Sequence, residues 1–305
     1  MADEISLTGN ADLRISSVLS AFVYMKLADQ ADLRSTCLRL SSTDGQGTLA
    51  AKVPQAAWDD VMAAPGEAAN TLPTALGDDA VTVTAARQTL RYDPTDEFMI
   101  TNSNTGPEAI ANGLAGGYIR RTTDLIGEVI DGFSATAGTT TIDLSVDDIY
   151  DALFQLEDLN NDGVFNCALT RKQFGDFRQS LRGEGGPMQW AEESREMLAA
   201  KKMQGYQGSW SGIDFWTSNL LQDDGTDDWG ALYTVGAVGL LEVAVGRIQP
   251  LIPTNQYIQM SPPGNMMWVE LQRAASYAIT QFIGHGFVGV SLNDDDRGVT
   301  IQSGH

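Results

Sequence analysis

Between residues 107 and 133 the apolar positions recur with the 3.6-residue period of an amphipathic helix. Leu114, Tyr118, Thr122, Leu125, Ile126, Val129, Ile130 and Phe133 fall on one broad face. Asn102, Ser103 and Thr105 offer capping oxygens just upstream, and Pro107 suits a first helical position. At ~1.5 Å per residue such a helix spans about 35–40 Å. Gly113, Gly116, Gly117 and Gly127 fall on the opposite face, among Arg120, Asp124 and Asp131. Each interior glycine costs about 1 kcal/mol relative to alanine, so the stretch is either a broken helix with loose turns or a spine. A spine would have a core on one side and a closely approaching chain on the other.

Elsewhere the periods alternate. Ile15, Val18, Leu19 and Phe22 predict a helix over 15–28. GQGTLAAKVPQAAW reads as a strand ending near Pro54, and VTVTA (81–85) and QTLRYD (88–93) follow the two-residue period of strands. Large apolar side chains are sparse from 45 to 100, so this segment reads as a projecting arm or hairpin that buries its surface elsewhere, most naturally on a neighbouring subunit. SVDDIYDALFQLE predicts a helix with a Ser145/Asp148 cap and a stripe of Val146, Ile149, Leu153 and Leu156. A strand VFNCAL (164–169) and a helix capped by Thr170/Gln173 follow, with Phe174, Phe177 and Leu181 inward. GIDFWTS and the apolar 230–246 stretch read as buried strands, and 268–282 as a helix. Val288, Val290 and Leu292 can share a face with Val299 and Ile301, giving a closing hairpin across the turn NDDDRG. Helix and strand mix without regular βα alternation, which predicts an α+β fold.

Composition narrows the function. With Lys+Arg 19 against Asp+Glu 40, the formal net charge of −21 opposes any general grip on nucleic acid, which needs clustered cations. It suits a protein that encloses or repels a polyanion, or one that stays dissolved at high concentration. Cys37 and Cys167 are too few for a disulfide framework or a cysteine zinc site. The acidic N-terminus carries no secretory pattern, and 230–246 is short for a membrane span and holds Glu242. A soluble intracellular protein is expected.

Chemical motifs are few. Asp158-x-Asn160-x-Asp162-Gly163, with Asn166 at the ninth position, matches the start of a calcium loop, but the twelfth position is Leu169 where a bidentate carboxylate belongs. The alternative is an Asx/Gly-rich turn between helix and strand. Gly284-His285-Gly286-Phe287-Val288-Gly289 satisfies G-x-G-x-x-G literally, yet a helix is expected before it and a strand after it, the reverse of a dinucleotide site. Gly208-Ser209-Trp210-Ser211-Gly212 has Trp210 where a nucleophile elbow needs serine, and His285 reads as a tight-turn residue. The acidic runs Asp223/Asp224/Asp227/Asp228 and Asp294/Asp295/Asp296 read as solvated turns, with cation binding as the alternative. No catalytic residues, no cofactor and no firm metal site are expected.

VFNCALTRKQFGDFRQSL, GSWSGIDFWTSNL and YAITQFIGHGFVGVSLNDDDRGVTIQS, with the order of elements around them, resemble the major capsid proteins of tailed double-stranded DNA phages of the Hong Kong 97 type. The resemblance implies an N-terminal arm (1–44), an extended loop (45–101), a peripheral domain with the spine helix (102–144), an axial domain (145–245) and a return to the peripheral domain (246–305). It further implies self-assembly into pentamers and hexamers of an icosahedral head around packaged DNA, assembled in the host cytoplasm. The partners implied are a portal protein and, by the initiating Met1, a separate scaffold or none, with decoration proteins left open. Some relatives crosslink a loop lysine to a neighbour's asparagine; Lys52 is the only lysine in this loop and has no identifiable partner, so no crosslink is expected. Encapsulin-type compartments share the fold and enclose protein cargo, and a calcium-binding module is the alternative from another class.

Overall fold

A computed structural model describes residues 33–40, 49–54, 80–102, 106–159, 163–183, 205–221, 226–243, 257–259, 267–274 and 277–304. The expected helix at 15–28 lies outside these residues. In chain order come β1 (Leu38–Leu40), β2 (Ala50–Pro54), β3 (Ala80–Thr84), β4 (Ala86–Tyr92), α1 (Asp96–Thr101), α2 (Gly106–Ile130) and β5 (Thr136–Gly138). Then follow α3 (Val146–Asp158), β6 (Phe165–Leu169), α4 (Arg171–Gly183), β7 (Tyr206–Trp210), β8 (Ile213–Thr217) and β9 (Asp227–Thr234). The chain ends with β10 (Val238–Glu242), β11 (Tyr257–Gln259), β12 (Met267–Ala274), β13 (Ile279–Leu292) and β14 (Gly298–Gly304).

The strands form two sheets and a ribbon. In the first sheet, the long β13 pairs with β12 along one edge, and with β4 and then β10 along the other; β11 and β1 complete it. The second sheet runs β5-β14-β9-β6-β8-β7. β2 and β3 pair only with each other, as a two-stranded ribbon continuous with β4 through Ala85.

The spine reading holds: α2 is one continuous helix despite its glycines. Leu114 and Tyr118 pack with Met267, Val269 and Phe282 of the first sheet. Farther on, Ile126, Ile130 and Phe133 pack with Val288, Leu240 and Tyr233, so the helix reaches both sheets. Thr300 Oγ1 donates to the Ile130 carbonyl at 3.0 Å, satisfying one of the open acceptors of the last turn. Asn102, expected to cap this helix, instead turns its amide onto Phe98 O and so closes α1, which the alternation pattern had not revealed.

The second sheet carries α3 and α4 on one face. Both expected caps are present: Ser145 and Asp148 bond reciprocally at the start of α3, and Thr170 and Gln173 do so at the start of α4, at 3.1 and 3.2 Å. Gln173 then donates to the carbonyls of Asp228 and Ile301, locking α4 to β9 and β14. Under the helices the rings of Phe177 and Phe215 stack with centroids 5.0 Å apart, and Trp210 meets Phe177 edge-on at 5.4 Å.

Four expectations at the C-terminal end are corrected. Residues 268–282 are not a helix but β12 and the start of β13, paired over eight positions from Met267↔Gly286 to Ala274↔Ile279. Met267 and Val269 face the spine while Glu270 and Gln272 face away, so the period is two and the sheet overrides helix propensity. The closing strands do not form a hairpin. A 3-10 turn at Asp295–Arg297 carries the chain across, and β14 joins the second sheet, where Ile301 packs with α3 and α4 and away from the spine. His285 sits mid-strand in β13 and not in a tight turn, so strand and not helix leads into the G-x-G-x-x-G stretch.

Candidate functional site

The glycine side of α2 is where other parts of the chain come closest. A Cβ on Gly113 would lie 2.5 Å from the Tyr92 hydroxyl, and one on Gly117 would lie 2.5 Å from Leu90 Cδ2, so β4 rests directly on the helix. At Gly127 a Cβ would meet the Leu220 carbonyl at 3.4 Å. The missing side chains therefore set the depth at which β4 and the segment after β8 seat on the spine. Between these contacts lies a groove of about 720 Å³. Its floor includes Gly116, and its walls include Arg120, Arg171 and the β7–β8 hairpin. In that hairpin Ser211 and Gly212 both take positive φ, 52° and 81°, which matches the twist of a tight hairpin turn.

Two ionic clasps tie neighbouring strands to this frame. Arg34 donates to Glu242 Oε1 at 3.3 Å, and the Tyr118 hydroxyl donates to the same oxygen at 2.9 Å. Both charged side chains are under a tenth exposed, 8% and 9%, and Arg34 also lies over the Tyr118 ring at 5.8 Å. Burial and the Glu242 charge push the Tyr118 phenol well above its ordinary value, which keeps it a donor. The cluster joins the turn before β1, the spine and β10. Glu242 had a signal in sequence, a lone carboxylate in an apolar strand that requires a buried cation; Arg34 as its partner, 208 positions away, had none.

On the sheet face away from α2, His285 is buried between β4 and β12. Arg87 Nη2 lies 3.0 Å from its Nδ1, and Glu270 Oε2 lies 3.0 Å from its Nε2. A guanidinium can only donate, so this geometry assigns Nδ1 as acceptor and Nε2–H as donor to the carboxylate. Burial, helped by Arg87, holds the imidazole below its usual value although Glu270 pulls the other way.

The sequence-derived metal loop is not assembled by what is described. Asp158 ends α3, Asn160 and Asp162 lie outside the described residues, and Asn166 is buried on β6, where its Oδ1 accepts from Trp216 Nε1 at 3.3 Å. Among the described residues no cluster of three or more His, Cys, Asp or Glu side chains could hold a metal ion. Of the acidic runs, Asp223 and Asp224 are outside the described residues and Asp228 is buried. Asp294 pairs with Arg297, and Asp295 accepts from the Ser134 N–H at 2.9 Å, tying the crossover turn to the end of the spine. No described helix is long and apolar enough to cross a membrane.

No protein-family model and no curated protein matches the sequence. Solved structures do match. The capsid of Ralstonia phage GP4 superposes with a TM-score of 0.61 at 8% identity, covering 88% of this chain and 86% of the other. The capsid of Helicobacter pylori bacteriophage KHP30 gives 0.58 at 9%, over 91% and 90%. The chain has the capsid-shell fold. The SrpI encapsulin of Synechococcus elongatus PCC 7942 shares it, with a TM-score of 0.56 at 12% identity over 88% and 85%. The resemblance read from the three sequence stretches thus holds at the level of fold, and the architecture is α+β of the Hong Kong 97-like kind. Within this shell fold, the frame built by α2, β4 and the two clasps adjoins the β2–β3 ribbon, which continues into β4 through Ala85.

Proposed function

We propose that this chain is the major capsid protein of a tailed double-stranded DNA phage, assembling into pentamers and hexamers of an icosahedral head. The observation that carries the reading is the likeness to phage capsids along nearly the whole chain, including a likeness over 91% of it to the KHP30 capsid. The ribbon supports it: a two-stranded β2–β3 unit buries little of its own and is stable only against further surface. A net charge of −21 suits an inner wall against which packaged DNA moves without adhering. In this reading the arm is 1–44, the extended loop 45–101 with β4 as its anchored root, the peripheral domain 102–144 and 246–305, and the axial domain 145–245. The protein would reside in the virion capsid after assembly in the host cytoplasm, beside a portal protein, a separate scaffold if one is used, and any decoration proteins.

The match to an encapsulin favours one second reading, a compartment around protein cargo. Electron microscopy of particles purified from the phage or from expression, after nuclease treatment, separates the two. Uniform shells that retain nuclease-protected DNA support the head, shells holding only protein support the compartment, and monomers alone defeat both. Lys52 lies exposed on β2, and intact-subunit bands are expected on a denaturing gel of mature particles; a covalent ladder would show crosslinking after all.

A further inference from the structure

We infer that the groove between α2, β4 and the β7–β8 hairpin is a nucleotide-phosphate site. Arg120 and Arg171 hold the phosphates there, from a nucleic-acid backbone or from a free nucleoside polyphosphate. The backbone source deepens the head reading, on which it rests, by giving the packaged polymer a point of contact.

Charge singles the groove out. Acidic residues outnumber basic ones 40 to 19 in the chain, and Arg34, Arg91, Arg121, Lys172, Arg273 and Arg297 each pair with a carboxylate. Arg120 and Arg171 are both exposed and make no ion pair within the described residues. Among the described residues no carboxylate lines their groove. Two unneutralised guanidiniums in one concavity, on a chain of net charge −21, make a local positive site in a field that elsewhere repels anions. The frame sets their places before any ligand arrives. Arg120 stands on the spine, where Gly116 and Gly117 leave the floor without side chains. Arg171 opens α4 directly after the Thr170 cap, and the Ser218 N–H donates to the Leu169 carbonyl at 3.1 Å, which holds the turn after β8 beside that start. The same turn meets the spine at Gly127, where a Cβ would lie 3.4 Å from the Leu220 carbonyl, so both walls belong to one rigid frame.

The polar groups name the ligand. A guanidinium presents a planar fork of donors that matches phosphate oxygens, and the Ser218 and Asn219 side chains add donors to the lining. Asn112 Oδ1 is buried, lines the same groove and has no hydrogen-bond partner in the structure. As an acceptor it does not suit a phosphate, but it does suit a sugar hydroxyl or a base amino group. Arginines and amide oxygen together therefore describe a nucleotide and not a bare anion. Size agrees: about 720 Å³ falls within the range of small-ligand pockets, about 300–1,000 Å³. It takes a short run of sugar and phosphate from one strand, not the width of a duplex. Two phosphates per subunit make a weak, salt-sensitive hold, so the acidic wall as a whole still repels.

The test titrates the full-length chain into a short fluorescein-labelled DNA duplex and, separately, into a fluorescent ATP analogue, with anisotropy as the readout. At least one probe should bind, and the tighter one names the source. Duplex binding should weaken about tenfold between about 50 and 200 mM salt, the dependence expected for two neutralised phosphates. Arg120→Gln/Arg171→Gln, checked for wild-type circular dichroism, should lose about tenfold in affinity. Arg120→Lys/Arg171→Lys keeps the charge without the fork and should fall between that variant and wild type, which keeps the series readable if the glutamine pair does not fold. Arg39→Gln/Arg182→Gln removes the same charge at exposed positions outside the groove and should change affinity by less than about twofold. Unlabelled inorganic triphosphate should displace either probe less well than unlabelled ATP, because it offers Asn112 no donor; equal displacement would overturn the nucleotide assignment. Displacement by poly-glutamate as effective as by ATP would also overturn it, since the groove would then read charge alone. So would wild-type affinity in Arg120→Gln/Arg171→Gln, or an equal loss in the Arg39/Arg182 control. Shells that protect DNA while neither probe binds would overturn the site and leave the head reading standing. Absence of particles from the wild-type chain would overturn the head reading whichever way the titrations fall.

Discussion

The second sheet and the β2–β3 ribbon are both paired β-structure, but they differ in what holds them. The sheet is packed by α3 and α4 over Phe177, Phe215, Ile213 and Trp210, all at or near complete burial. Its polar seams close internally through Gln173 and two reciprocal caps. In the ribbon, Ala51 and Val83 are the buried apolar residues among those described, and they pack on the first sheet through Ala85 and Leu241, with Leu40, Val243 and Phe287 partly covering them. Apolar burial contributes roughly 25 cal/mol per Å², so large rings make the first region self-sufficient and small side chains leave the second dependent on further surface.

The sharpest way to break this contrast is Phe177→Ala, at a residue with no exposed surface. Truncating a ring there should cost about 3–5 kcal/mol, read from denaturant unfolding of the unassembled subunit by tryptophan fluorescence. A loss below about 1 kcal/mol would mean that the aromatic cluster does not hold the second sheet. Next is Gly113→Leu, which forces Tyr92 off the spine and should cost about 1–3 kcal/mol by overpacking. Hydrogen exchange should locate the damage in β4, and unchanged protection there would show that the glycine face is not what seats the strand.

The His285 clasp offers a pH test of the first sheet. The folded imidazole titrates below the 6.5 of the unfolded chain, so the unfolded state binds more protons as the medium is acidified. Its contribution is full above pH 6.5 and declines as pH falls toward the lower folded value. Glu270 is held below its ordinary 4.5, chiefly by Gln272 and then by His285, and adds a second loss below that pH. His285→Gln should flatten the stability profile just below pH 6.5 while leaving the acid limb; an unaltered profile would sink the assignment. The smallest effect expected is a gain. Gly175 lies in α4, and a Cβ added there would meet nothing within 4 Å, so Gly175→Ala should stabilise by about 0.5–1 kcal/mol through helix propensity alone. Unchanged or lower stability in denaturant unfolding would contradict that.

Much of the frame was legible because it depends on near neighbours. The periodicity of 107–133, the caps at Ser145 and Thr170 and the strands at 50–54 and 213–217 are encoded by residues within a few positions of one another. The errors fell where distant pairing decides. Residues 268–282 carry helix-compatible alanines, and eight cross-strand pairs with a later segment make them strand. Val299 and Ile301 have the right alternation for a hairpin, but alternation does not name the sheet. The groove was half visible: its glycines stood out along the helix, whereas Arg120 and Arg171 belong to helices 51 positions apart in sequence and only folding brings them to one surface.

By itself the sequence determined the spine, the two capped helices and several strands, the α+β class, the acidic balance and one unobstructed side of the spine, since each follows from spacing and composition. Tertiary structure decided which chain lies on that side, which sheet each late strand joins, and which cation neutralises Glu242. Those outcomes depend on contacts between residues far apart in the chain, whose energies become available only when a single packing brings them within reach of one another.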